Sequence, residues 1–254
     1  MAPSLGAKRG NVTLRKLGLI GGMSWVSTGI YYDRINRNIQ RRSEYMASAP
    51  LLIESLDFHN LHGLREKNEW DHATKVLGES AQRLEKAGAE GLIIGANSMH
   101  RIYDEIAETV DIPILHIADY VGKALAKAGH GCAALIGTRN VMTESFYRKR
   151  LVAHGIDLLP PDMANVEALD KIIYDELMVG KVTRDAERTL KSIITSKAQD
   201  GADSIVLACT ELDLVVDVDA NVLPVFDSTR IHCDAASDWI MGDESPKAGA
   251  SSGY

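Results

Sequence analysis

"AGAEGLIIGANS" at residues 87–98 and "DGADSIVLACTE" at residues 200–211 align without a gap. Gly88 meets Gly201, Ala89 meets Ala202 and Glu90 meets Asp203. Each stretch reads as a tight turn, then a short apolar run, then a small polar turn. A continuous apolar run bounded by turn residues is the pattern of a strand buried on both faces. The alignment also pairs the two residues that follow the strands, Ala96 and Cys209.

The likeness extends on both sides. "LIGG" at 19–22 lies against "LIGT" at 135–138, and "IPIL" at 112–115 against "LPVF" at 223–226. The offset between copies is 116, then 113, then 111 residues. Three matches in one order mark an internal repeat. Within each copy, strand-like and helix-like runs alternate. "KLGLIGG" at 16–22 and "APLLIESLDF" at 49–58 read as strands, and "STGIYYDRINRNIQRR" at 27–42 as a helix. "HATKVLGESAQRLEKAG" at 72–88 puts Val76, Leu77, Ala81, Leu84 and Ala87 on one helical face and stops at Gly88. "GCAALIGTRNVMTESFYRKRLVAHG" at 131–155 starts the pattern again.

Such alternation predicts βαβ units and a parallel sheet. The expected fold is α/β, with two similar parallel-sheet lobes related by a pseudo-two-fold repeat and an active site in the cleft between them. Ligands in open α/β sheets sit beyond the carboxyl ends of the strands. The expected first lobe is 14–117 plus 224–241, the second is 118–223, and 1–13 and 242–254 are flexible termini.

Composition narrows the function classes. A chain of 254 residues with 45% hydrophobic residues supports a sizeable core, and a net charge of -7 argues against a nucleic-acid surface. The basic run "RNIQRR" at 37–42 reads as a solvated helix end. No apolar run is long enough to span a bilayer, and no signal-peptide core follows the N-terminal basic pair. Cys132, Cys209 and Cys233 are odd in number and lack metal-type spacing, which fits a reduced, cytoplasmic setting. "GLIGG" at 18–22 is not a dinucleotide fingerprint and there is no Walker A lysine. "HNLH" at 59–62 offers two histidines on one face but no third ligand, so no metal is expected.

"LGLIGGMSWVSTGIYY" at 17–32, "LDF" at 56–58, "ANSMH" at 96–100, "LHIAD" at 115–119, "LIGTRNVM" at 135–142, "ACTEL" at 208–212 and "LPVFDSTRIH" at 223–232 together resemble the aspartate/glutamate racemase family. The resemblance spans roughly 15–240 and points to the branch with "GGMSW" near its N-terminus. It implies a cofactor-independent amino-acid racemase acting on aspartate, glutamate or a related amino acid, and it implies a homodimer. In that family two residues on opposite faces of the substrate Cα exchange a proton, usually a cysteine in each of two turns. Here Cys209-Thr210-Glu211 keeps the second turn, while Ala96-Asn97-Ser98 carries alanine at the first position; some members of the branch place a threonine there.

Removing an α-proton requires a close base, a dry site and donors for the substrate carboxylate. Cys209 ends an apolar strand and opens a polar turn, so it is the expected acid/base, with a thiol lowered by donors and helix N-termini. Met23, Ser24, Asn97, Ser98, Thr138, Thr210 and Glu211 are the expected substrate-binding residues, because their turns present backbone N–H groups and hydroxyls. Ser, Thr and Asn in such turns also serve as plain helix caps. Glu211 is expected to hold the ammonium or to sit in a first helical turn. His100 and His116 lie near the first turn, His100 as a tuning group or a structural histidine, and Asp57 is expected to orient that turn. Cys132 and Cys233 are expected to be structural. Alanine cannot carry a proton, and three readings follow: a one-sided racemase relayed by Ser98, His100 or water; a single-cysteine decarboxylase of a malonate-like acid; or a binding protein for an amino acid or dicarboxylate.

Overall fold

The computed structural model describes residues 13–43, 46–61, 67–217 and 220–243. The first lobe runs β1 (Leu17–Gly21), α1 (Trp25–Arg42), β2 (Leu51–Ser55), α2 (Lys67–Lys86), β3 (Gly91–Ile94), α3 (Tyr103–Ala107) and β4 (Ile114–Leu115). Helix α4 (Ile117–Ala128) leads into β5 (Cys132–Gly137), α5 (Arg139–Thr143), α6 (Ser145–Ala153), β6 (Asp157–Leu158), α7 (Met163–Asp175), α8 (Arg184–Gln199), β7 (Ser204–Ala208), β8 (Val225–Asp227) and α9 (Ser228–Met241). The strands form two parallel sheets, ordered β2-β1-β3-β4 and β6-β5-β7-β8. The chain therefore folds as two α/β lobes of one topology.

The repeat holds at the level of register. Leu19 pairs with Ile93 in the first sheet, and Leu135 pairs with Val206 in the second. Ile93 pairs with Leu115, and Val206 with Phe226. The offsets of 116, 113 and 111 carry each pair of the first sheet onto its counterpart in the second. Equivalent turns match too. Gly88 has φ +93° and Gly201 φ +101°, the left-handed conformation that closes a helix end. Glu90 accepts from the Lys16 N–H at 2.7 Å, and Asp203 accepts from the Gly131 and Cys132 N–H groups at 2.7 and 3.1 Å. In both lobes one carboxylate ties the turn before the third strand to the start of the first.

Each sheet is covered on both faces, but the covering helices are exchanged. Leu17, Leu19 and Ile93 pack under Tyr31, Ile35 and Ile39 of α1 and under Cys233, Ala236, Trp239 and Ile240 of α9. Ala133, Val206 and Ala208 pack under Ile117, Val121 and Leu125 of α4 and Tyr147 and Leu151 of α6. Thus α4, which follows the last strand of the first sheet, covers the second, and α9 does the reverse. Their caps are equivalent: His116 Nδ1 accepts from the Ala118 N–H, and Asp227 accepts from the Thr229 and Arg230 N–H groups. The outer faces are closed by Leu77, Ala81 and Leu84 of α2 and by Leu169, Ile173, Leu190 and Ile194 of α7 and α8.

Three expectations change. Residue 224 is not a lobe boundary, because Val225–Asp227 extends the second sheet and only α9 crosses to the first. Ala87 is exposed beyond the end of α2, whose buried stripe is instead Trp70, Ala73, Leu77, Ala81 and Leu84. Residues 242–243 are held rather than loose: Gly242 caps α9 at φ +76°, and Asp243 accepts from Arg42 at 2.8 Å. Residues 1–12 and 244–254 lie outside the described residues. The basic run ends α1, with Arg42 held by Asp238 and Asp243.

Candidate active site

One cleft lies at the carboxyl ends of both sheets. It is lined by Met23, Ser24, Phe58, Gly95, Ala96, Asn97, Ser98, Met99, Thr138, Ile173, Tyr174, Met178, Ala208, Cys209, Thr210 and Glu211. All nine residues expected from sequence therefore meet at one place. The reason is topological: β1, β3, β5 and β7 are the two central strands of each sheet, and all four end at this cleft. Ala96 follows β3 of one lobe and Cys209 follows β7 of the other.

The polar side chains do different work. Ser24 caps α1, its hydroxyl accepting from the Ser27 N–H at 3.3 Å. Asn97 and Thr138 make no side-chain cap. Asn97 Nδ2 donates to Ser228 Oγ, at the start of α9, at 3.1 Å. Asn97 Oδ1 and Thr138 Oγ1 are buried without a partner among the described residues. A buried polar atom left unpaired is costly, so two such atoms in one cleft mark places that a ligand can satisfy.

Cys209 is 7% exposed and Glu211 2% exposed. The Cys209 thiol donates to Glu211 Oε2 at 3.2 Å, and the Thr210 hydroxyl donates to the same oxygen at 2.6 Å. Ser27 Oγ, on α1 of the other lobe, lies 2.6 Å from Glu211 Oε1 and 2.5 Å from Thr210 Oγ1. Burial first, and then the Glu211 charge, push the Cys209 thiol well above its ordinary range. The expected lowered thiol is therefore reversed: at rest Cys209 holds its proton and directs it at a carboxylate.

Ser27 is a site residue that sequence reasoning missed. Its signal was present: it shares the buried face of α1 with Tyr31, Ile35, Asn38 and Ile39, and a serine on such a face needs a partner. Phe58, Ile173, Tyr174 and Met178 were also missed, since nothing local marks an apolar residue as cleft lining.

Other candidates lie elsewhere. His100 is buried behind the cleft and does not line it. Its ring lies 4.4 Å from that of His116 and 5.8 Å from that of His232. Burial lowers all three histidines, with His232 down to about 4. The Tyr31 hydroxyl lies 2.9 Å from His232 Nδ1, and His232 Nε2 lies 3.0 Å from the Leu115 carbonyl. The carbonyl can only accept, so Nε2 carries the proton and Nδ1 accepts from Tyr31. Asp57 does not orient the first turn; it is exposed and caps the short turn Phe58–Asn60 through the His59 N–H at 3.0 Å. Cys233 is buried on the face of α9 that packs on the first sheet, and Cys132 lies half-buried in β5. His62 lies outside the described residues, among which no group of His, Cys, Asp and Glu could hold a metal. No helix among the described residues is long and apolar enough to cross a membrane.

The Asp/Glu/Hydantoin racemase family model matches residues 20–236, most of the chain and every lining residue. The chain belongs to this family. It is 25% identical over 216 residues to the broad specificity amino-acid racemase RacX of Bacillus subtilis (strain 168), covering 84% of this chain and 92% of that one. Among solved structures, it is 37% identical to a protein of Yersinia pestis provisionally called an Asp/Glu racemase, with a TM-score of 0.82 over 90% of this chain and 100% of the other. An aspartate racemase homologue from Pyrococcus horikoshii OT3 is 31% identical, with a TM-score of 0.76 over 89% and 99% of the two chains.

Proposed function

We propose that this racemase-family protein moves the α-proton of an amino acid without a cofactor, using Cys209 as its acid/base against a wall where Ala96 offers none. The observation that carries the reading is the Cys209–Glu211 contact, a thiol facing a carboxylate inside a buried cleft.

The steps follow from the contacts. The substrate carboxylate lies against the turn N–H groups of Met23-Ser24, Asn97-Ser98 and Thr210-Glu211 and the free hydroxyl of Thr138. Helix N-terminal N–H groups stabilise it as it takes on enolate charge. Glu211, the sole charged side chain lining the cleft among the described residues, attracts the ammonium, and Asn97 Oδ1 accepts from it. An ammonium beside Cys209 opposes the burial and carboxylate effects that hold the thiol high. The thiol proton passes to Glu211 Oε2, and the thiolate takes the α-proton. The proton returns from the same side, because the Ala96 methyl cannot deliver one from the other. Ser98 is the protic group of that turn, and a serine hydroxyl is a weak base without an activating partner.

Two variants test this. Cys209→Ala removes the chemistry, a loss of at least about 100-fold in the rate of α-proton exchange followed by NMR in D₂O. Ala96→Cys adds the missing thiol and raises two-way racemisation. If Cys209→Ala stays active, the assignment is wrong.

The one-sided site also favours a second reading. A substituted malonate losing CO₂ leaves an enediolate, and the resting Cys209 thiol is a ready donor to one face of it. CO₂ release from a substituted malonate, with no α-proton exchange in amino acids, selects this reading. Three unpaired cysteines support a reducing, cytoplasmic setting, and the family resemblance supports a homodimer, to be checked by sedimentation.

A further inference from the structure

We infer that Ser228 is a positioning residue of the cleft: it holds the Asn97 amide so that the amide oxygen, and not its nitrogen, faces the ligand. This rests on the reading of the cleft as an amino-acid site. The two ends of a carboxamide are chemically opposite. One donates and the other accepts, so the way round it sits decides whether Asn97 can take a hydrogen bond from an ammonium.

Both groups are released from the work that their places in the chain would give them. Ser228 begins α9, where a serine commonly caps its own helix. Here Asp227 caps it, through the Thr229 and Arg230 N–H groups. Asn97 precedes the turn Ser98–Ile102 and makes no side-chain cap. Its Nδ2 donates to Ser228 Oγ at 3.1 Å, which leaves Oδ1 buried without a partner among the described residues. Asn97 lines the cleft and Ser228 does not. Ser228 is wholly buried, so water does not compete for its hydroxyl. That hydroxyl also acts on the buried Tyr147 oxygen, which no other group satisfies among the described residues. With its proton turned to Tyr147, Ser228 offers Asn97 a lone pair, and a lone pair selects the amide nitrogen.

The helix that carries Ser228 is anchored one turn away. His232, four residues on, donates from Nε2 to the Leu115 carbonyl at 3.0 Å and accepts at Nδ1 from the Tyr31 hydroxyl at 2.9 Å. Tyr31 in turn lies four residues beyond Ser27 on α1, and Ser27 reaches Glu211 at 2.6 Å. Helices α1 and α9 thus form one floor under the cleft. Each sends a buried serine to one strand-end turn, Ser27 to the turn of Cys209 and Ser228 to the turn of Ala96. The Ala96 turn offers no thiol, but it offers an amide held one way round.

The test uses the full chain and whichever of leucine, methionine, aspartate and glutamate binds it most tightly by calorimetry. Ser228→Ala is expected to weaken that binding by ~5-fold, the contribution of about one hydrogen bond. Ser228→Thr, which keeps the hydroxyl, is expected to bind within about 2-fold of the unaltered protein. In an Asn97→Ala background, Ser228→Ala is expected to change nothing further, because the serine acts through the amide alone. Losses that simply add across the two sites overturn the inference. Should Ser228→Ala not fold, the unaltered protein decides by NMR with the amino acid bound. The Asn97 side-chain amide protons are expected to show nuclear Overhauser effects to the Ser228 β-protons; effects to the ligand in their place put the nitrogen in the cleft and overturn the inference. No binding by any of the four amino acids, with the contact to Ser228 kept, sustains the orientation and defeats the amino-acid reading.

Discussion

At Cys209 the chemistry depends on a proton. The thiol is buried, faces Glu211 and is pushed well above the ordinary cysteine range. Thiolate is the form that alkylates. The rate of Cys209 modification by iodoacetamide, read by peptide mass spectrometry, should therefore still be rising beyond pH 9; a plateau by pH 7 would show a lowered thiol instead. Ser27 reaches Glu211 from the other lobe at 2.6 Å. Ser27→Ala leaves a buried carboxylate short of one donor, a cost of about 1–3 kcal/mol in stability. If Ser27 positions Glu211, the variant also shifts the pH profile of turnover relative to the unaltered protein, which a packing role alone would not do. Sequence paired Cys209 with Ala96, which line one cleft, because one copy of the repeat exposes what the other lacks. It missed Ser27 because its partner lies 184 positions away. It also reversed the direction of the thiol shift, because burial and the aim of Glu211 are not local properties.

At the scale of elements, the turns at strand ends place the site, and Gly22 shows how tightly. Its φ is +82°, and a Cβ there would stand 2.0 Å from the Leu56 carbonyl oxygen and 2.2 Å from the Leu56 nitrogen. Backbone cannot yield as a flexible side chain can. Gly22→Ala should cost about 3 kcal/mol or more in denaturant unfolding, in line with the worst backbone effects. It should also displace Met23 and Ser24 from the cleft. A loss under about 1 kcal/mol would mean that the turn has slack. The strands and their equivalence between the lobes were legible from the offsets of the repeat, since a buried parallel strand is a plain apolar run. The covering of the sheets was not legible. The sequence of α9 says that it is amphipathic, but not that its apolar face belongs to the first sheet while the strand before it pairs in the second.

For the whole molecule, that exchange of α4 and α9 couples the lobes. Neither sheet is covered without the other half of the chain. Unfolding in denaturant should therefore be a single transition, coincident by tryptophan fluorescence and far-ultraviolet circular dichroism; separated transitions would show lobes that stand alone. The histidines beside this junction add a pH dependence. His232 is held neutral, down to about 4 against an unfolded value of 6.5, and His100 and His116 shift the same way. Between those values the unfolded chain binds protons that the folded chain refuses. This stability is complete above about pH 6.5 and is lost as pH falls toward 4, by up to ~3 kcal/mol for His232 alone. His232→Gln should flatten that acid limb in pH-dependent unfolding.

The central claim is that proton transfer in this cleft is one-sided, from Cys209 alone. Each enantiomer of leucine, methionine, aspartate and glutamate can be incubated separately with the protein in D₂O, and its α-proton and chirality followed together by NMR and chiral chromatography. The account predicts deuterium entering one enantiomer with retention of configuration, and no entry with Cys209→Ala. Full inversion of both enantiomers by the unaltered protein would contradict it, because the Ala96 wall would then have to move a proton too.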